Sequence, residues 1–367
     1  MSLATRTLRL FLAGDVMTGR GIDQILPHPG DPRLFEPYVR SAREYVALAE
    51  REHGSLPHPV GFSYIWGDAL AELARMNPDA RIVNLETAVT TSGDAWPRKG
   101  IHYRMNPANL PCLTAAGLDC CVLANNHVMD WGRSGLAETL GALHAAGLRT
   151  AGAGGDAAEA NAPAAIELPQ GGRVLVFGLS SATSGVPREW AAGSRRSGVC
   201  LLDDLSAHGA EAVARRIAAQ RRRGDIVVAS IHWGGNWGYD VTSTQRDFAR
   251  ALIDGGVDVV HGHSSHHPKG IEVYRERPIL YGCGDLINDY EGIEGYEVFR
   301  PELALMYFPA LDADSGRLLE FPLAAMRLRR MRLERAAPED AAWLSVALGK
   351  LGTRLEPRGG GLFLDWN

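Results

Sequence analysis

Long apolar runs are missing from this sequence, and none of its segments approaches the roughly 20 residues that a membrane-spanning helix requires. The first run, Leu8 to Ala13, is closed at once by Gly14 and Asp15, too short for the apolar part of a signal peptide, so a cytoplasmic protein without a membrane segment is expected. Cysteine is scarce as well. Cys112, Cys120, Cys121, Cys200 and Cys283 form an odd set without a CxxC pair, which argues against a disulfide framework and for a reducing compartment. No basic tract exists beyond Arg221, Arg222 and Arg223, and the formal charge is −5, so no nucleic-acid or anionic-membrane surface is expected. Internal repeats and low-complexity tracts are also lacking.

What is present is a chain of 367 residues, 46% hydrophobic, enough to bury a large core without disulfides. Short apolar runs ended by polar residues read as strands at Leu8 to Ala13, Arg81 to Val83, Cys120 to Ala124, Arg173 to Gly178, Asp225 to Ile231 and Val257 to Val260. Helical patterns fall between them, at about 42–51, 68–76, 134–146, 205–223 and 244–254, with a further helix from Asn106-Pro107 to Gly117. The Pro-, His- and Gly-rich stretch 20–62 reads as an excursion, the Ala/Gly-rich stretch 151–165 as a connection, and the C-terminal part as mainly strand. This order predicts an α/β sandwich with an antiparallel portion.

The polar clusters fall where strands stop. Asp15 follows the first strand, Asn84 and Glu86 the second, and Asn125, Asn126 and His127 the third. His232 follows Ile231, and His261, His263, His266 and His267 follow Val260. In open α/β sheets ligands bind beyond the carboxyl ends of strands, so these clusters can converge on one crevice. Carboxylates, a carboxamide and imidazoles without thiolates suit Mn, Fe or Zn. Adjacent carboxylates such as Asp15 and Glu86 can hold two ions and activate a water for hydrolysis. Asn125 reads as a buried amide that ties down its loop, His267 as a surface residue, and Asp285, Asn288 and Asp289 as either crevice or turn residues.

The segments GDVMTGR (14–20), NLE (84–86), ANNHVMDWG (124–132), HWG (232–234) and GHSSHHPKGIEVY (262–274) resemble the CapA-type poly-gamma-glutamate capsule synthesis proteins, of the calcineurin-like metallophosphoesterase superfamily. The resemblance covers about residues 8–290 and implies a four-layer α/β/β/α sandwich; the domain is expected over 1–330, with an insertion at about 20–62 and a C-terminal extension over 331–367 packed on it. It implies one or two divalent ions held by Asp15, Glu86, Asn126, His232, His263 and His266, with Asn84 and His261 as ligands or supports. His127 would assist catalysis, and Arg20, Lys99 and Arg104 would bind an anionic substrate. Met17 stands where the superfamily carries a His, and a thioether is a poor ligand for a hard ion, so one metal position is expected to be weak. The implied activity is metal-dependent hydrolysis of a phosphoester or glutamyl-type amide, linked to poly-gamma-glutamate synthesis. The alternative is a non-catalytic, metal-containing component that binds a polyanion, and the partner in either case is a small-molecule or polyanionic substrate.

Overall fold

The computed structural model describes residues 6–366. Two sheets form because apolar side chains alternate along strands that need cover on both faces. Along β1 (Thr7–Val16), Leu8, Leu10 and Leu12 enter the layer between the sheets, while Phe11 and Ala13 face outward. β2 (Ala80–Leu85) repeats the division, with Ala80 and Ile82 inward and Val83 and Leu85 outward. β3 (Cys120–Val122) and β4 (Arg149–Ala151) extend this sheet in parallel.

The second sheet comprises β5 (Ala164–Glu167), β6 (Arg173–Ser180), β7 (Ile226–His232), β8 (Val259–His263), β9 (Ile271–Tyr274) and β10 (Arg277–Leu280), in the order β9-β10-β8-β7-β6-β5. In β7, Ile226 and Val228 face the first sheet, and Val227, Ala229 and Ile231 face away. The chain then rejoins the first sheet through β11 (Asp285–Ile287), parallel to β1. It adds the antiparallel run β12 (Leu303–Tyr307), β13 (Pro322–Arg329), β14 (Arg354–Arg358) and β15 (Gly361–Asp365).

Helices cover both outer faces. α1 (Arg43–His53), α2 (Ala69–Met76) and α3 (Gly132–Ala145) contribute Val46, Leu73, Met76, Leu136 and Leu143 to the cluster around Phe11 and Val83. α4 (Ala207–Gln220) and α5 (Ser243–Asp254) place Val213, Ile217, Phe248 and Leu252 on the second sheet. α5 starts where Thr242 and Gln245 form a reciprocal capping box, which satisfies two backbone donors that the first turn leaves open. The layers are therefore α/β/β/α, as the resemblance implied. Leu344 and Leu348 of α6 (Pro338–Gly349) join Leu355, Leu362 and Leu364 in the inter-sheet core. Among the described residues no helix is long and apolar enough to cross a membrane.

Two local readings change. The stretch 151–165 contains a short helix, Ala157–Asn161, and the first residues of β5. Its small Ala and Gly side chains carry too little hydrophobic contrast to mark either period. The helix expected from Asn106 to Gly117 splits into a 3-10 turn, Pro107–Asn109, and a short helix, Pro111–Thr114. Pro111 has no N–H to give to the carbonyl of Pro107, so the ladder restarts there.

The apolar inward stripe turns polar at one end of the sandwich. Ile82 is followed on its face by Asn84, Val228 by Ser230 and His232, and Val259 by His261 and His263. Parallel register brings these ends level, with Asp15 opposite both Asn84 and Asp285 and His232 opposite His263. Gly14 permits this meeting, because a Cβ there would lie 1.9 Å from the carbonyl oxygen of Gly284.

Leu10→Ala, in the middle of the inter-sheet layer, should lower unfolding free energy by about 2–5 kcal/mol. The exposed Val346→Ala should stay within about 0.5 kcal/mol of the parent in the same urea titration.

Candidate metal centre

Asp15 sits at the centre of the polar end. It is fully buried, accepts a hydrogen bond from Asn84 Nδ2 at 2.8 Å and one from the Ser264 N–H at 3.3 Å, and lies 3.9 Å from His263 Nδ1. Among the described residues, two groups have ligand atoms within 4.8 Å of one another: Asp15, His232 and His263, and Asp15, His266 and Asp285. Asp15 belongs to both. Glu86 adjoins them, its Oε1 3.7 Å from His127 Nε2 and 3.9 Å from His232 Nε2.

The hydrogen bonds fix which imidazole nitrogens are free. The carbonyl of Ala13 can only accept, so His261 Nε2, 2.9 Å away, carries its proton and His261 Nδ1 does not. That Nδ1 accepts from the Ser230 hydroxyl at 3.0 Å, which leaves the Ser230 oxygen to accept from His263 Nε2–H, also at 3.0 Å. His263 Nδ1 is therefore bare. By the same reasoning His232 Nε2 donates to Asn126 Oδ1 at 3.1 Å, so His232 Nδ1 is bare as well. The two Nδ1 atoms face each other at 2.8 Å. Burial holds both rings well below the ordinary imidazole pKa, so neither takes up a second proton near neutral pH. Two lone pairs that converge beside a carboxylate are repulsive unless a cation stands between them.

The carboxylates make the same demand. Among the described residues, the ion-pair partners of Asp15, Glu86 and Asp285 are all imidazoles, with no Lys or Arg. Burial and the charge of Asp285 push Asp15 up to about 7, and burial together with Asp15 pushes Glu86 well above its usual range. Burial would lower His266, but Asp285 at 2.9 Å outweighs it and raises the ring. An uncompensated buried charge costs several kcal/mol, so these groups either hold protons or bind a cation. Hard oxygen donors and neutral imidazoles fit a divalent ion of the Mn, Fe or Zn kind.

The remaining residues sort themselves by contact. His127 directs Nδ1 to Asp130 Oδ2 at 2.7 Å and Nε2 toward Glu86. Burial, which Asp130 only partly offsets, pushes its pKa down to about 4. Lys99 is 2.6 Å from Asp130 Oδ1, and that ion pair ties it to this dyad. Asn125 anchors the loop by donating to Asn84 and Leu85 and accepting from the N–H groups of His127 and Val128. His261 has both nitrogens engaged, which makes it a support and leaves it no free lone pair for a ligand role.

Three expectations are corrected. Arg20 is buried, with its guanidinium bound to Asp289, Glu36 and Tyr45, so it offers no open anion site. Arg104 lies over Trp131 at 3.8 Å and bonds the carbonyls of Ser92 and Asp31, for the same reason. His267 is buried, stacked on Phe299 at 4.7 Å, because the loop that carries it folds under Trp237 and Tyr239. Met17 joins neither ligand group, its sulfur accepting from the Tyr290 hydroxyl at 3.7 Å. Asp285 and His266 meet Asp15 in its stead.

Sequence reasoning left Asp285 undecided and passed over Ser230 and Asp130. The signal for Ser230 was its place two residues before His232, on the same face of an otherwise apolar strand. Asp130 lies three residues after His127, within reach across one turn. Asp285 offered no such mark, because its partner strand is far away in sequence.

Residues 9–290 match the bacterial capsule synthesis protein family PGA_cap. The chain is 47% identical over 346 residues, 94% of its own length and 91% of the relative's, to a probable polyglutamine synthesis accessory protein of Mycobacterium tuberculosis. It is 27% identical over 352 residues, 92% and 80% of the two chains, to the PGA biosynthesis protein CapA of Bacillus subtilis. Among solved structures it is similar to a novel phosphatase of Mycoplasma pneumoniae, at TM-score 0.49 and 12% identity over 92% of this chain and 96% of the other. With a match that spans most of its length, the chain belongs to the bacterial capsule synthesis protein family.

Proposed function

We propose that this protein is a divalent-metal-dependent hydrolase with two ion positions that share Asp15, acting on a phosphoester or a glutamyl-type amide within polyglutamate capsule synthesis. The observation that carries the proposal is the pair of ligand groups meeting at Asp15, one with His232 and His263, the other with His266 and Asp285. Asn126 and Glu86 adjoin the first group through His232. Divalent ions held there would polarise the substrate and lower the pKa of a bound water.

The chain's own residues supply the rest. His127 keeps its Nδ1 proton against Asp130, so Nε2 is unprotonated at neutral pH and faces the metal side of the crevice. From there it can take up a proton from the substrate or the attacking water and return it to the leaving group. Lys99 holds Asp130 in place and contributes positive charge beside the crevice. Ser230 and His261 orient His263, so its free lone pair stays aimed at the ion.

Four outcomes test this reading. The protein loaded with Mn should hold about two ions per chain, and Asp285→Ala should hold about one, by elemental analysis. Asp15 gains a proton as pH falls through about 7 and an ion requires the carboxylate, so apparent metal affinity should fall about tenfold per pH unit below 7 in calorimetric titrations. Ser230→Ala should weaken metal binding by about 10- to 100-fold without removing a ligand. On a panel of p-nitrophenyl phosphates and gamma-glutamyl peptides, His127→Ala should lower kcat by about 10²- to 10⁴-fold with metal content unchanged. Stoichiometric metal without turnover of any substrate would move the assignment to a non-catalytic polyanion-binding component.

A further inference from the structure

A cavity of about 130 Å³ opens beside the metal centre, with the His266 ring in its wall. Its other walls are mostly aromatic or aliphatic: Tyr38, Ile101, Tyr103, Trp237, Tyr290 and Tyr296. The Tyr290 and Trp237 rings stand 5.3 Å and 5.4 Å from that of His266, and the Tyr103 ring stands 4.4 Å from that of His127. The cavity thus has a candidate metal ligand in its wall, and another of its wall residues, Tyr103, packs against the candidate proton carrier. Tyr38, Ile101 and Tyr296 come from three separate segments and are three of the seven exposed large hydrophobic side chains among the described residues. Their meeting at one mouth, next to a reactive centre, marks a surface kept apolar at some cost in solvation.

The walls define what fits. A cation is disfavoured, because the Arg20 guanidinium already lies over Tyr45 at 3.9 Å, Tyr103 at 4.3 Å and Tyr290 at 5.7 Å. An anion gains nothing there, because Asp289 and Glu36 neutralise Arg20. A sugar would need several hydroxyl partners, and with the nearby carboxylates occupied by Arg20 and Tyr45 the wall adds only Asn236 and tyrosine hydroxyls. What remains is a flat apolar group. Trp237 and Tyr296 present a preformed stack, 4.0 Å between centroids and 9° apart, and a cavity of comparable size, about 150 Å³, holds one benzene ring.

We infer that this cavity is a subsite for a single six-membered apolar or aromatic ring that the substrate carries next to its scissile bond. The inference rests on the hydrolase reading for the position of that bond, whereas the ring site itself does not. Benzyl alcohol, followed by saturation-transfer NMR, reads the ring site without metal or turnover. It should be saturated by the wild-type protein and lose most of that signal in Tyr38→Ala/Ile101→Ala, whose exposed positions leave the core intact. In the Mn-loaded protein, phenylphosphonate should bind about tenfold more tightly than methylphosphonate by calorimetry. The double variant should bring that ratio to about threefold or less, with methylphosphonate affinity unchanged.

Absence of benzyl alcohol binding to the wild type overturns the inference whatever the phosphonates do. So does equal affinity for the two phosphonates, because a ring site unconnected to the metal cannot be part of the substrate's path. Glucose 1-phosphate binding as tightly as phenylphosphonate overturns the choice of an apolar ring. Benzyl alcohol binding with no affinity for either phosphonate leaves the ring site standing and instead rejects the metal-centred reading.

Discussion

A single backbone carbonyl, that of Ala13, sets the protonation pattern on which the polar end of this molecule depends. It cannot donate, so the His261 ring must, and the order of donors and acceptors is then fixed through Ser230 to His263. The result is a bare nitrogen aimed at Asp15 from the opposite sheet. Ala13 lies on β1 and His263 on β8, so the relay also ties the two sheets together at the end where they must not drift apart. A hydrogen-bond chain inside a dry layer is both a structural clamp and an electronic instruction.

The charge pattern around this relay follows one rule. Permanent cations are kept occupied at the edges, Lys99 by Asp130 and Arg20 by Asp289 and Glu36, while among the described residues the acids at the centre form ion pairs with imidazoles and with no Lys or Arg. Burial near Lys or Arg would have neutralised Asp15 and Asp285 internally. Kept apart from them, the carboxylates retain an unmet demand for positive charge, the condition under which a divalent ion from solution binds in preference to a side chain.

Much of this was legible in the chain because strand ends announce themselves. Asp15, Asn84, His232 and His263 each follow an apolar stripe, and parallel register brings such ends to one edge. The α/β/β/α layering was also legible, through the family likeness and the alternation in segments such as Ile226 to Ile231. Asp285 was not, since nothing local distinguishes a carboxylate that completes a ligand group from one that terminates a turn. The commitments of Arg20 and Arg104 were hidden for a related reason: their partners, Asp289 and Asp31, are set by loops whose paths have no periodic signal. His267 misled because a polar residue in a polar run gives no hint that aromatic rings will close over it.

The contact of Gly14 with Gly284 carries a consequence for the spacing of the two ligand groups. β1 and β11 lie side by side with Asp15 opposite Asp285, and the chain can reach that closeness because position 14 has no side-chain carbon to hold Gly284 off. The gap between two acidic oxygens at the heart of the crevice is thus governed by an atom that is absent one residue earlier. The spacing of these acidic oxygens is a backbone property, inherited from how tightly two strands can be laid together.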